Sequence, residues 1–259
     1  MQPGEGDFGE RVVLSRGDTC LREADVELLR GPHWLNDQLV TFFFSHLAES
    51  EPDESALLLG GSVRTGLSAP ISSRCCAPNT RAQVTFFLAN CEAEDAAVIT
   101  APLSVDTRSL VLFALNDGRV GQANGGSHWT LLALKRQLGE GKDDGACFTH
   151  FDSLPQSRNL GVARRVAQTV ASALRLPSGS ARVEAARVPQ QVNSYDCGLH
   201  ALLTAQVLYQ AHRSDPGRAP TEAELAAAVT PAAVSKLRGD IAELIARYAA
   251  EEAEKLWDD

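Results

Sequence analysis

The stretch Gln190-Gln191-Val192-Asn193-Ser194-Tyr195-Asp196-Cys197-Gly198 decides the reading of this chain. It is polar and turn-forming up to Asp196, and from Gly198 to about Ala211 it gives way to an apolar-rich run without proline or further glycine. That change reads as a loop entering a helix. A cysteine on the boundary matters because the first N–H groups of a helix have no intrahelical partner and stabilise a thiolate placed among them. Cys197 is therefore a candidate nucleophile, with a buried structural thiol as the competing reading.

Working outward, residues 110–115, 129–134 and 146–151 form apolar runs at hairpin-like spacing, each bounded by Gly, Asn or Asp. They read as neighbouring buried strands. His128 opens the second run just after Asn124-Gly125-Gly126-Ser127, and Asp152 closes the third. If those strands pair antiparallel, the start of one lies beside the end of the other, so imidazole and carboxylate can meet at one sheet edge. A thiol, a histidine to take its proton and an acid to fix the histidine tautomer make a triad, recognised by role and not by chain order. Taken singly, each has a plainer reading: a hydrogen-bonded surface histidine, and a turn or cap aspartate.

The remaining segments fill in an α+β layout, a central mixed sheet flanked by helices. Residues 11–14 read as a short strand, and 36–48 as a helix capped by Asn36 or Asp37, with Leu39, Phe42 or Phe43, and Leu47 at helical spacing. Residues 49–62 are acidic and weakly patterned, which predicts an exposed loop with a helical turn at 56–59. Residues 157–174 carry Leu160, Val166, Val170 and Leu174 on one helical face, ended by Pro177 and Gly179. A strand follows at 182–188, and two tail helices lie near 221–229 and 234–257. Their alanine-rich faces are expected to pack on the same core, a partner-binding arm being the alternative. The expected organisation is a flexible start over residues 1–10 and one domain over 11–257.

Composition bounds the function. The chain has 259 residues, 44% hydrophobic and 22% charged, which is enough apolar content to bury a core. With 24 Lys plus Arg against 33 Asp plus Glu, the net charge of −9 disfavours sequence-independent nucleic-acid binding and suits basic partners. No window approaches the ~18 apolar residues of a membrane span, and MQPGEGDFGER has no apolar signal core, so no membrane association is expected. Six cysteines (Cys20, Cys75, Cys76, Cys91, Cys147 and Cys197) are too sparse for a disulfide scaffold. They fit thiols in a reducing compartment, cytoplasmic and/or nuclear, and none sits at metal-ligand spacing, so neither metal nor cofactor is expected.

Four motifs then stand in order: Trp34-Leu35-Asn36-Asp37, His128-Trp129, Phe151-Asp152-Ser153, and Gln191-Val192-Asn193-Ser194-Tyr195-Asp196-Cys197-Gly198. Together they resemble the Ulp/sentrin-specific cysteine proteases, which remove ubiquitin-like modifiers. Papain-type enzymes, with similar chemistry, carry the cysteine first and are excluded by order. The resemblance implies a single papain-like, Ulp-type domain that needs no cofactor and acts as a monomer. In it Cys197 is the nucleophile, His128 the base, Asp152 the orienting carboxylate and Gln191 the oxyanion-hole side chain, with Gln190 competing for that role. It also implies that Trp34 and Trp129 wall a narrow tunnel over the modifier's Gly-Gly tail, a plainer reading being two core aromatics. Asp37 is expected either to meet a basic residue of the tail or to act as a helix-end residue.

Within the family, Leu115-Asn116-Asp117, Gly125-Gly126-Ser127-His128-Trp129 and the opening Val12-Val13-Leu14-Ser15 look most like the branch that acts on the Nedd-type modifier. That branch implies the modifier and its conjugates as partners, with Gly125 and Gly126 as a pliant segment beside the base. The loops at 49–62 and 137–145 look extended relative to the family. A SUMO or ubiquitin protease of the same fold, an acyl transferase and a non-catalytic modifier-binding module are the alternatives. The last should have lost a triad member or Gln191, and none is lost.

Overall fold

The computed structural model describes residues 11–17, 19–60, 84–91, 93–118, 126–137, 145–154 and 157–258. The chain opens with an antiparallel hairpin, β1 (Val12–Arg16) and β2 (Thr19–Arg22), then a short helix α1 (Glu23–Glu27) and the helix α2 (Asp37–Ser50). Asn36 caps α2, its side chain accepting from the Leu39 N–H at 3.1 Å, so the cap is Asn36 and not Asp37. The main sheet has five strands in the order β3 (Ala56–Leu59), β4 (Leu110–Asn116), β5 (Trp129–Lys135), β6 (Cys147–Phe151) and β7 (Val183–Ala185). Its inner pairs are antiparallel and its outer pairs parallel, giving the mixed sheet the sequence predicts.

Strands β4 and β5 are apolar almost end to end because both faces of the sheet are covered. On one face Leu110, Leu112, Ala114, Leu131 and Ala133 join a cluster with α2, α6 (Cys197–Ser214), α7 (Glu222–Ala228) and α8 (Pro231–Asp258). Alternate residues, Val111, Phe113, Leu115, Leu132 and Leu134, pack on the other face against α3 (Val84–Asn90), α4 (Ala93–Thr100) and α5 (Asn159–Ala173). In α5 the buried stripe is Asn159, Ala163, Val166, Ala167, Val170 and Ala171, while Leu160 and Leu174 are only half-buried. Small residues at that contact let the helix approach the sheet closely. The tail helices pack on the core through Leu225, Val234, Leu237, Ile241 and Ile245, as expected.

Two expectations are corrected. Residues 56–59 are not a helical turn in an exposed loop but strand β3, pairing parallel with β4 from Ala56–Leu110 to Leu59–Phe113, with Ala56 and Leu59 buried. The strand expected over 182–188 is only three residues long, Val183–Ala185, followed by one further hydrogen bond to β6 from the Ala186 N–H to His150 O at 2.8 Å. Helices α3 and α4 and the 3-10 turns at Ala101–Leu103 and Val105–Thr107 add to what the sequence reading named. Residues 1–10, Gly125, Cys75, Cys76 and most of the 137–145 loop lie outside the described residues. Among the described residues no helix is long and apolar enough to cross a membrane.

Candidate active site

Cys197 is the first residue of α6 and is 1% exposed. The polar run 190–196 cannot continue the helix, because Asn193 folds back on it: its Oδ1 accepts from the Tyr195 and Asp196 N–H groups at 3.1 and 2.9 Å. Gly198 lets the helix start lie against the Trp34 loop; a Cβ there would come within 3.1 Å of the Leu35 side chain.

His128 precedes β5 and Asp152 follows β6. The register pairing Leu131 with Phe151 therefore brings the two together just beyond the strand ends. His128 Nε2 lies 2.7 Å from Asp152 Oδ1, leaving Nδ1 as the ring nitrogen for the thiol. The Asp152 carboxylate also accepts from the Leu154 N–H at 2.9 Å and from the Ser157 hydroxyl. Burial pushes its pKa up, but these hydrogen bonds outweigh burial and hold it below the usual carboxylate value. Burial likewise opposes charge on His128, yet hydrogen bonds to Asp152 and to Cys197, with the attraction of their negative charges, raise its pKa to about 9. At neutral pH His128 is thus an imidazolium between a carboxylate and the sulfur.

The backbone of His128 is pinned from two sides. Asp117 accepts from its N–H at 3.0 Å and from the Ser127 N–H and hydroxyl, and Asn159, fully buried at the start of α5, donates to its carbonyl at 2.9 Å. Beneath lies His150, 2% exposed, with Nε2 3.0 Å from the Thr130 hydroxyl and a pKa driven down to about 4 by burial. It is neutral at working pH and puts no second positive charge under His128. No sequence signal marked Asn159, Ser157 or His150. Asp117 was visible only as part of a family-like segment.

Gln190 and Gln191 separate by their partners. Gln190 spends its amide on the Val188 and Asp152 carbonyls at 3.0 and 3.1 Å. Gln191 donates to one carbonyl, Asn193 O at 2.6 Å, and among the described residues keeps a second N–H without an acceptor. Trp34 is 50% exposed and donates its indole N–H to Ser194 O at 2.5 Å, lying against the loop that leads into Cys197. Trp129, 5% exposed, is a core residue whose indole N–H holds the Leu35 carbonyl at 2.8 Å, so it supports the Trp34 loop from behind. The side chain of Asp37, half-buried in the first turn of α2, makes no hydrogen bond among the described residues. Gly126 has φ +122°, and a Cβ there would fall 1.6 Å from Asn116 Oδ1, so this turn into β5 requires glycine.

A nucleophile at a helix head, a histidine already charged beside it and a carboxylate turning that histidine's ring define a cysteine peptidase site. The chain belongs to the Ulp1 protease family, whose C-terminal catalytic domain matches residues 110–246, a span containing His128, Asp152 and Cys197. It is 31% identical over 240 residues to human sentrin-specific protease 8, covering 92% of this chain and 98% of that protein. The NEDD8-specific protease 1 of Arabidopsis thaliana is 28% identical over 250 residues, covering 94% and 96%. Among solved structures, the SUMO protease Ulp1 with its catalytic cysteine oxidised to a sulfonic acid superposes with a TM-score of 0.62 at 17% identity, covering 93% of this chain and 89% of that one.

Proposed function

We propose that this cysteine peptidase cleaves after the C-terminal Gly-Gly of a ubiquitin-like modifier, both in precursors and in conjugates, and that the Nedd-type modifier is its preferred substrate. The observation that carries the reading is the pair of buried His128 and half-buried Asp152 turned toward Cys197 at the head of α6. In this reading the Cys197 sulfur, its proton held by His128, adds to the carbonyl carbon of the terminal glycine. The carbonyl oxygen takes the negative charge and is stabilised by the free Gln191 N–H and the Cys197 backbone N–H. Collapse breaks the C–N bond, and the leaving amine takes the His128 proton. A water deprotonated by His128 then hydrolyses the thioester and releases the modifier's carboxylate.

Trp34, backed by Trp129, walls the channel for a tail without side chains, Asp37 meets a basic residue of that tail, and the turn at Gly126 carries the base into place. The Nedd-type preference draws on the name of the relative from Arabidopsis and on the net charge of −9, which suits a basic tail and surface. The test is to incubate the full chain with Nedd-type, SUMO and ubiquitin precursors bearing C-terminal extensions. Intact mass should show the Nedd-type precursor trimmed after Gly-Gly with much the highest kcat/KM. Equal trimming of all three would remove the modifier preference, and no trimming of any would remove the activity.

A further inference from the structure

The amide of Gln191 is held at both ends, and one line of support reaches the far side of the domain. Its Nε2 donates to Asn193 O at 2.6 Å. A carbonyl can only accept, so that contact fixes which end of the amide is nitrogen. The oxygen end therefore faces Ser153, whose hydroxyl donates to Oε1 at 2.8 Å from a position 5% exposed. Independently of side chains, the Gln191 N–H donates to Ser153 O at 2.8 Å and ties the two loops together. On the nitrogen side, Asn193 Nδ2 donates to Asp196 Oδ2 at 2.7 Å, and Asp196 Oδ1 accepts from Arg238 Nη2 at 2.7 Å. Arg238 belongs to α8. Its guanidinium also donates to Leu28 O at 2.8 Å and to His33 O at 3.0 Å, immediately before Trp34.

We infer that Ser153 and Arg238 are positioning residues that preset the Gln191 amide, Ser153 through its oxygen and Arg238 through Asp196 and Asn193, so that the remaining N–H is aimed before substrate arrives. The inference rests on the reading of Gln191 as the oxyanion donor. Donors pre-aimed at the developing charge need no reorganisation during reaction, so loosening them costs turnover and not ground-state binding. Arg238 suits the task because a planar fork can hold a carboxylate and two backbone carbonyls at once, and the Arg238 and Asp196 side chains are only 13% and 16% exposed. A lysine in its place reaches one of these acceptors at a time. Ser153 follows Asp152 directly, so the same short turn orients the histidine through one residue and the oxyanion donor through the next.

The experiment measures kcat and KM of the full chain on the Nedd-type precursor, alongside the rate of Cys197 alkylation by iodoacetamide, a displacement at carbon that forms no oxyanion. Gln191→Ala should lower kcat about 100-fold. Ser153→Ala and Arg238→Ala should each lower kcat on the order of ten-fold, with KM within about two-fold and alkylation unchanged. Ser153→Thr, which keeps the hydroxyl, should recover turnover, and Arg238→Lys should not. In a Gln191→Ala background neither substitution should cost anything more. Wild-type kcat in Ser153→Ala or in Arg238→Ala, while Gln191→Ala is impaired, overturns the role of that residue, as does a full further loss on top of Gln191→Ala. Should Arg238→Ala fail to fold, Arg238→Lys and Ser153→Ala decide. Wild-type kcat in Gln191→Ala overturns the oxyanion reading and this inference together.

Discussion

His150→Gln should flatten the acid side of the stability curve. His150 is 2% exposed under the active site and held neutral, with its titration moved from about 6.5 in the unfolded chain to about 4 in the fold. A histidine with a depressed folded pKa takes up its proton in the unfolded state first. Its contribution to stability is therefore complete above pH 6.5 and is lost as pH falls toward 4. The shift amounts to about 3 kcal/mol at pH 4, of which about 2 kcal/mol is gone by pH 5. Glutamine keeps a hydrogen-bonding partner for the Thr130 hydroxyl, so the cost at pH 7 is about 1 kcal/mol. Urea unfolding followed by tryptophan fluorescence between pH 4 and 7.5 gives both curves. His46, His200 and His212, also pushed down by burial, and the depressed Asp152 titrate alike in the two proteins and cancel in the difference. His128 works the other way: its raised pKa gives stability that is complete below pH 6.5 and lost as pH rises through about 9. The variant, less stable at pH 7, should become the more stable protein near pH 4. Parallel curves across the whole range would refute a neutral His150.

Cys197→Ala, a thiol-to-methyl change, should abolish hydrolysis while leaving the unfolding midpoint and modifier binding close to wild type, read by calorimetry and by pull-down on immobilised modifier. Because His128 titrates near 9 and its charged form is the working one, kcat/KM should fall with an alkaline limb near pH 9. Asp152→Asn should lower kcat by several hundred-fold or more and move that limb to lower pH, since it removes the negative charge that holds the proton on the imidazole. Gly126→Ala should lose about 1–3 kcal/mol of stability and most turnover, because the added carbon collides with Asn116 and displaces the turn that carries His128; thermal melts and a progress curve check both.

The central strands were legible because a strand buried on both faces reads as a near-continuous apolar run: residues 110–115 are wholly apolar and 129–134 are broken only by Thr130, while 146–151, with Thr149 and His150, is bounded by Gly145 and Asp152. His128 at the start of one run and Asp152 at the end of the next meet on the condition that the two strands pair antiparallel, as β5 and β6 do. Strand β3 was not legible. A four-residue run, Ala-Leu-Leu-Leu, carries no periodicity that tells strand from helix, and its partner β4 lies more than fifty residues away. The tryptophans matched family positions, but sequence could not tell that Trp129 is buried while Trp34 stands half in solvent. The supports of the site, Asp117, Asn159, Ser153 and Arg238, act through hydrogen bonds between segments separated in the chain. Residue type and spacing leave no mark of such bonds, so only the folded arrangement exposes them.

The central claim, that Cys197 attacks the Gly-Gly terminus of a Nedd-type modifier, is tested most directly by labelling. Modifier probes ending in a thiol-reactive electrophile, built on the Nedd-type modifier, SUMO and ubiquitin, are mixed in parallel with the full chain, and the adducts are mapped by peptide mass spectrometry. One adduct is expected, on Cys197, formed fastest by the Nedd-type probe and absent in Cys197→Ala. Labelling at another thiol such as Cys147, or an adduct that persists in Cys197→Ala, contradicts it.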